Sequence, residues 1–172
     1  VILGVYFLIN VFFHFHLITF SPITSEAVTF YNVSPLQIDL LSLIFMIVYL
    51  FVSFPASYII DTWGIRIGIG IGALLMGIFG LMKGFYGSSY KMIIIAQIGI
   101  AIGQPFVLNA VTKVGVRWFP LQERATQAGI SVLAQFVGII IAMVATPFLF
   151  KAWGMEKMLM LYGTAALTGA VI

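Results

Sequence analysis

Long, unbroken apolar runs constrain this chain more than any other feature. The run from Met92 to Val111 holds twenty residues without one charged side chain, and about 20 residues of helix cross a hydrocarbon core roughly 30 Å thick. Charged residues make up only 8% of the 172 residues, whereas soluble domains average about 25%. The runs are continuous and do not alternate as the strands of membrane barrels do. The sequence therefore predicts an all-α integral membrane protein.

Six such runs predict a single bundle of six transmembrane helices. The predicted spans lie at about residues 2–30, 36–60, 67–86, 92–112, 125–149 and 158–172. Pro22 lacks an amide donor, so we expect a kink within the first span. The first run starts at Val1 and the last stops inside apolar sequence at Ile172, so we expect a chain truncated at both ends.

The charged residues collect in the predicted connections and give no sign of a nucleic-acid surface. The net charge of +3 comes from scattered basic residues, which suit contact with lipid headgroups and predict no nucleic-acid partner. The absence of cysteine excludes disulfides and thiolate metal sites, and we predict neither cofactor nor metal. The positive-inside rule gives a tie. One predicted side holds Arg66, Lys113, Arg117 and Arg124, and the other holds Lys83, Lys91, Lys151 and Lys157.

Several polar residues interrupt the apolar runs at helical spacing. Polar groups in hydrocarbon are costly and face the bundle interior or a watery path, so these residues are candidates for a solute cavity. Amides donate and accept at once, which suits uncharged or zwitterionic solutes. Hydrogen bonding between helices is the alternative interpretation. The candidates are Asn10, His14 and Ser21 on the first span, Gln97 and Gln104 on the fourth, and Ser131 and Gln135 on the fifth.

Two further patterns concern the packing of the spans. The pairs Gly68/Gly72, Gly80/Gly84 and Gly99/Gly103 place small residues on single helix faces, which predicts close approach of neighbouring helices. His16 lies on a different face of the first span from His14, and the sequence does not identify its partner.

The connection after the second span resembles a motif of the major facilitator superfamily. The segment Asp61-Thr-Trp-Gly64-Ile-Arg66 is similar to that family's loop between helices 2 and 3. Three positions match, Asp61, Gly64 and Arg66. Three depart from the pattern, Ser57, Thr62 and Ile65. Gly64 is suited to a tight reversal between two helices, and Asp61 is then expected to pair with Arg66 or with charges in the 113–124 loop.

A second segment, from Gln104 to Thr126, resembles one branch of this superfamily. That branch contains the feline leukaemia virus subgroup C receptor-related proteins, which are associated with haem and choline transport. The segments 38–42 and 54–61 are similar to the same branch, and the likeness runs from about residue 30 to residue 148. In choline-transporting members a Trp of helix 1 and a Gln of helix 5 form and support an aromatic cage. Leu17 and Phe136 stand at these positions, with Gln135 adjacent, so the resemblance leaves the solute open.

The resemblance implies that the chain is the amino-terminal half of a twelve-helix secondary transporter of the cell membrane. Such a protein moves a small solute by alternating access, and its partners would be the solute, a coupling proton or sodium ion, and the carboxy-terminal half. The resemblance also implies that the loops at 61–66 and 113–124 form a cytoplasmic gate. Its residues would be Asp61, Gly64, Arg66, Arg117, Glu123 and Arg124.

Three other functions are compatible with a small helical membrane protein. A self-pairing six-helix subunit, or a membrane receptor without transport activity, remains the alternative. An intramembrane protease of the rhomboid type is not predicted, because Gly129-Ile-Ser131-Val132 lacks the second glycine of the Gly-x-Ser-Gly motif.

Overall fold

The computed structural model describes residues 2–171, and every regular element in that range is helical. A 3-10 turn at Ser21–Ile23 follows the first helix, and another at Leu121–Glu123 precedes the last. The helices are α1 (Ile2–Ile18), α2 (Thr24–Tyr31), α3 (Pro35–Thr62), α4 (Ile65–Phe85), α5 (Tyr90–Leu108), α6 (Val111–Trp118) and α7 (Arg124–Val171).

Within residues 2–171, five helical segments are long and apolar enough to cross a membrane. They are Leu3–Tyr31, Pro35–Thr62, Ile65–Phe85, Tyr90–Trp118 and Leu121–Ala170. The large apolar side chains on their outer surface, such as Phe51, Phe54 and Phe148, are about three-quarters exposed. A bilayer accepts such a surface without the penalty that water would impose. The chain is a multi-pass membrane protein, as predicted.

The first membrane segment is broken where the sequence predicts a kink. α1 ends at Ile18, Pro22 lies in the 3-10 turn, and α2 resumes at Thr24. Because proline carries no amide hydrogen, the backbone carbonyl groups before it lose their usual helical donors. Neighbouring helices must then supply hydrogen bonds to carbonyl groups that are buried near the break.

The longest element, α7, reverses direction at Gly154. A straight helix of its 48 residues would be about 72 Å long, yet the hydroxyls of Thr146 and Tyr162 lie 3.0 Å apart. Gly154 has φ 77° and ψ 176°, a conformation open essentially to glycine alone. The two legs of α7, residues 124–153 and 155–171, therefore fold back on each other.

The reversal lies inside the connection that the sequence predicts, but it is much shorter than expected. Residues 150–157 were expected to form a loop, but they are helical on both sides of Gly154. Lys151, Glu156 and Lys157 are exposed, so helical turns carrying these charges continue beyond the apolar part of each leg.

Glycines bring the helices into close contact, as the spacing predicts. A Cβ atom added to Gly72 on α4 would lie 2.8 Å from the carbonyl oxygen of Gly103 on α5, and the reverse substitution gives the same distance. Around this contact the core is filled by fully buried apolar residues such as Phe13, Met76 and Ile100. The hydroxyl of Tyr6 also ties α1 to α5 by donating to the carbonyl of Val107 at 2.6 Å.

Short connections fix the order of the helices. Ser34 caps α3, since its hydroxyl accepts from the Gln37 amide at 3.4 Å while the Gln37 side chain accepts from the Ser34 amide at 2.8 Å. This reciprocal pair is a capping box. At the other end of α3, Gly64 has φ 94° and allows α4 to begin at Ile65 after a two-residue turn, as the sequence predicts.

Candidate functional site

A row of polar side chains on α3 faces the end of α5. Tyr49, Ser53 and Ser57 are spaced four residues apart and so follow one face of the helix. Asn109 bonds to all three: its carbonyl accepts from the Tyr49 hydroxyl at 2.8 Å, and its amide nitrogen lies 3.0 Å from the Ser53 hydroxyl and 2.9 Å from that of Ser57. The amide is also 3.0 Å from the Ser53 carbonyl oxygen. We call these four residues the polar ladder.

An ion pair continues the polar ladder to the end of the bundle. Asp61, one turn beyond Ser57, pairs with Lys113, one turn beyond Asn109. Both side chains are well exposed, at 61% and 42%, so water weakens their attraction. Asp61, Gly64, Lys113 and Arg117 line one shallow groove. The structure therefore brings three predicted gate residues together and pairs Asp61 with Lys113. The predicted loop at 113–124 is a correction, because Lys113 and Arg117 lie on helix α6 and only the residues after Trp118 connect it to α7.

The other three predicted gate residues, Arg66, Glu123 and Arg124, do not line this groove. Arg124 donates from Nε to the carbonyl of Phe119 at 3.2 Å and so secures the end of α6. Arg66 lines a separate, mostly apolar cavity of about 390 Å³ together with Tyr6 and Trp118. Glu123 is exposed in the second 3-10 turn.

At its other end the polar ladder meets a groove between α1, α3 and α5. Tyr49 belongs to both features. Gln104, only 5% exposed, lines this groove. No charged side chain lines it. The groove has a volume of about 240 Å³, and its lining residues are Leu17, Phe45, Met46, Tyr49, Gln104 and Leu108.

Two of the three predicted cavity residues of the first span, Asn10 and His14, are bonded to their own helix. The Asn10 amide donates to the carbonyl of Tyr6 at 2.9 Å, and Nδ1 of His14 lies 3.0 Å from the carbonyl oxygen of Asn10. Both side chains are buried and use the backbone of their own helix. Ser21 is exposed in the 3-10 turn, with its hydroxyl 3.5 Å from that of Ser42.

The other predicted cavity residues lie apart from the groove of Gln104. Ser131 is buried on the first leg of α7, where its hydroxyl donates to the carbonyl of Gln127 at 2.9 Å and accepts from the Gln127 side chain at 3.1 Å. Gln135 is half-buried one turn further along the same leg. Gln97 is buried and donates to the backbone carbonyl of His16 at 3.2 Å. Of the seven predicted residues, only Gln104 is among the residues that line this groove.

Lys83 corrects the distribution of charge inferred from the sequence. The sequence places Lys83 among the basic residues of one membrane face. Its side chain, which projects from α4, is completely buried in the bundle. Its Nζ atom lies 3.5 Å from the carbonyl oxygen of His16 and 4.7 Å from the centre of the Phe20 ring. The second leg of α7 covers this side of α4, which is a contact that the local sequence does not reveal.

Six residues of the polar ladder, the ion pair and the buried polar cluster were not predicted as site residues: Tyr49, Ser53, Ser57, Lys83, Asn109 and Lys113. For the polar ladder a signal was present, since Tyr49, Ser53, Ser57 and Asp61 repeat every four residues in an otherwise apolar helix. No comparable pattern marks Lys83.

Comparison with known proteins identifies the family. The family model described as Major Facilitator Superfamily matches residues 5–172. The choline/ethanolamine transporter FLVCR1 of Mus musculus is 29% identical over 158 residues, covering 91% of this chain and 28% of the relative. Solute carrier family 49 member A3 of Danio rerio is 26% identical over 164 residues, covering 90% and 34%. The choline/ethanolamine transporter FLVCR2 of Homo sapiens is 24% identical over 137 residues, covering 78% and 26%.

These relatives confirm the resemblance to the branch of feline leukaemia virus subgroup C receptor-related proteins. The chain spans about a third or less of the length of each curated relative. The match to the family model covers nearly all of its residues. The chain belongs to the Major Facilitator Superfamily.

Proposed function

We propose that this chain is the amino-terminal, six-helix half of a secondary transporter that moves a small organic solute across the cell membrane by alternating access. Membership of the superfamily supports transport, and the named relatives are transporters. Five membrane-length segments, the last divided at Gly154, supply material for six spans. In this proposal a carboxy-terminal half would complete the path for the solute.

The observation that carries the proposal is the continuity of the α3–α5 interface. It starts at the groove, where Tyr49 and Gln104 offer hydrogen-bonding groups. It continues through Asn109 and ends at the exposed ion pair of Asp61 and Lys113. The same interface, between α3 and α5 with the adjoining start of α6, therefore carries both the groove, where a solute would bind, and the Asp61–Lys113 ion pair. We propose that the ion pair belongs to the cytoplasmic gate.

The groove indicates the chemistry of the solute. Apolar and aromatic side chains surround one amide, and the lining holds no carboxylate. Such a surface suits a small molecule that combines an apolar part with a hydroxyl or amine that the Gln104 amide can recognise. A quaternary ammonium group would depend on the Tyr49 and Phe45 rings for cation–π attraction, because Leu17 supplies no ring. Choline and ethanolamine therefore belong in the first solute screen, together with uncharged and zwitterionic compounds.

The test is uptake by the full-length protein in reconstituted vesicles, comparing wild type with Asp61→Asn. We expect uptake to fall by up to about fivefold, since an exposed ion pair contributes at most about 1 kcal/mol, while the amount of inserted protein is unchanged. Asp39→Asn is the matched control, since Asp39 is an exposed aspartate at the other end of the same helix and should leave uptake unchanged. The exchanged pair Asp61→Lys with Lys113→Asp should recover part of the activity.

Two results would refute the proposal. Unchanged uptake in Asp61→Asn would remove the ion pair from the gate. Absence of uptake of every compound by wild-type protein that is correctly folded would instead favour a receptor or a self-pairing subunit.

A further inference from the structure

A second polar site lies inside the bundle, away from the polar ladder and the groove. Lys83 on α4 is fully buried, and in residues 2–171 the single side-chain ion pair is that of Asp61 with Lys113. The ammonium of Lys83 therefore has no carboxylate beside it. An unpaired charge in a protein interior costs several kcal/mol, and ionisable residues within membrane segments characteristically serve ion or proton pathways.

His16 and Gln97 surround the same point with unused hydrogen-bonding capacity. Both are completely buried. Neither ring nitrogen of His16 has a hydrogen-bond partner within the described chain, and neither has the side-chain oxygen of Gln97. The backbone carbonyl of His16 receives both the Lys83 ammonium at 3.5 Å and the Gln97 amide at 3.2 Å. The Lys83 ammonium, which has hydrogens left to donate, thus lies beside a residue pair, His16 and Gln97, whose side-chain acceptors have no donor.

The groups that face this site come from four parts of the chain. α4 contributes Lys83, α5 contributes the uncharged Gln97, and α1 contributes His16. The second leg of α7 contributes Tyr162, whose hydroxyl is engaged with Thr146. Toward the outside, Phe20 covers the ammonium and packs edge-on against Tyr31, and Glu156 on the second leg of α7 is exposed.

We infer that Lys83, His16 and Gln97 form a proton-binding site that is linked to the solute groove through α1. The site takes up one proton on the amine of Lys83 or on the ring of His16. In the protonated state the ammonium donates to the His16 carbonyl. A turn of the two side chains, or one water molecule, brings the His16 ring nitrogen and the Gln97 oxygen into the same network. Proton uptake thus satisfies acceptors that are otherwise unpaired.

The link to the groove follows from the position of His16. Its carbonyl lies in the last turn of α1, immediately before the break at Thr19–Ile23, where backbone donors run out. The charge-assisted bond from Lys83 therefore holds the broken end of the helix. Leu17, the next residue, lines the groove. A proton that strengthens this bond changes the position of the groove wall, and by linkage a bound solute changes proton affinity by the same factor.

Nitrogen NMR tests proton binding without any knowledge of the solute. Full-length protein carrying nitrogen-15 in its lysine and histidine side chains is titrated in lipid vesicles from about pH 5 to about pH 9. Lys83→Met and His16→Phe assign the two signals, and Lys91→Met is the control, since Lys91 is exposed one helix away. We expect the Lys83 and His16 signals to change together in one coupled step. If both stay constant over the whole range in the folded wild-type protein, there is no proton site.

A transport experiment tests the linkage, which rests on the proposed function. Choline and ethanolamine are offered to vesicles with and without a pH difference across the membrane. When the outside is the more acidic side, one coupled proton allows the accumulation of solute inside the vesicles to rise by up to about tenfold per pH unit for cotransport, or to fall by the same factor for exchange against protons. Lys83→Met should abolish this response while retaining the exchange of labelled for unlabelled solute. Exchange without any response to the pH difference in wild type would overturn the linkage but not transport. If neither compound is taken up, transport of these solutes fails and the NMR titration alone decides the proton site.

Discussion

Replacing Asn109 by leucine is the most direct test of how α3 and α5 are held together. The two side chains have the same number of heavy atoms and the same branching, so the substitution removes the hydrogen bonds of Asn109 while largely keeping its shape. The amide has two hydrogens and one carbonyl oxygen, so at most three of its four observed contacts act as full bonds at once.

The expected cost can be calculated from these bonds. Interhelical hydrogen bonds in membranes average about 0.6 kcal/mol, so three bonds give about 1.8 kcal/mol, or roughly a twentyfold shift of the unfolding equilibrium. Unfolding of the full-length protein in mixed detergent and SDS micelles measures this difference. Tyr58→Phe is the matched control, because Tyr58 lies on α3 with 69% of its surface exposed.

A double-mutant cycle tests the pairing itself. Tyr49→Phe removes the single bond to the Asn109 carbonyl and should cost about 0.6 kcal/mol in the wild-type background. In the Asn109→Leu background the same change should cost almost nothing, since the acceptor has gone. Equal costs in the two backgrounds would refute the assignment of Tyr49 and Asn109 as partners.

Two glycine substitutions test the fold. Gly154→Ala should destabilise the protein by about 1–3 kcal/mol, because its φ of 77° with ψ 176° is closed to residues with a Cβ atom; Gly129→Ala, at an open helical position of the same element, should be neutral or slightly stabilising in the same thermal unfolding assay. Gly72→Ala should cost about 1–3 kcal/mol, because its Cβ atom would meet the backbone oxygen of Gly103 at 2.8 Å. Gly70→Ala has open space around it, and an equal loss of stability in that control would contradict the close-packing argument.

The helices were predictable from the sequence because a bilayer imposes a simple rule on length and polarity. Each predicted span overlaps a helical segment, and Pro22 marks the break in the first, since the loss of an amide donor is a local property. The predicted connection at 150–157 contains the reversal at Gly154 but was too long, because Lys151, Glu156 and Lys157 resemble loop charges. Helices extend beyond the apolar layer at no penalty when their charged residues face water, and these residues are exposed.

The candidate site was only partly predictable because burial and pairing depend on distant segments. Lys83 ends an apolar run and so resembles an interfacial charge, but the second leg of α7 covers it. The pairing of Asp61 with Lys113 joins residues more than fifty positions apart, and the loop motif alone left Arg66 as an equal choice. Asn10 and His14 share a polar stripe, but both bond to their own backbone. Periodicity indicates which face a residue occupies and not which neighbour it meets.

The reversal at Gly154 has a mechanical consequence. One residue joins the two legs of α7, and two residues join α3 to α4, so these connections contain no slack. Each residue spans at most about 3.8 Å between Cα atoms, so neither pair of segments can slide past the other by a helical turn without unwinding. Large displacements are therefore expected to move the two legs of α7 as one unit, and α3 together with α4.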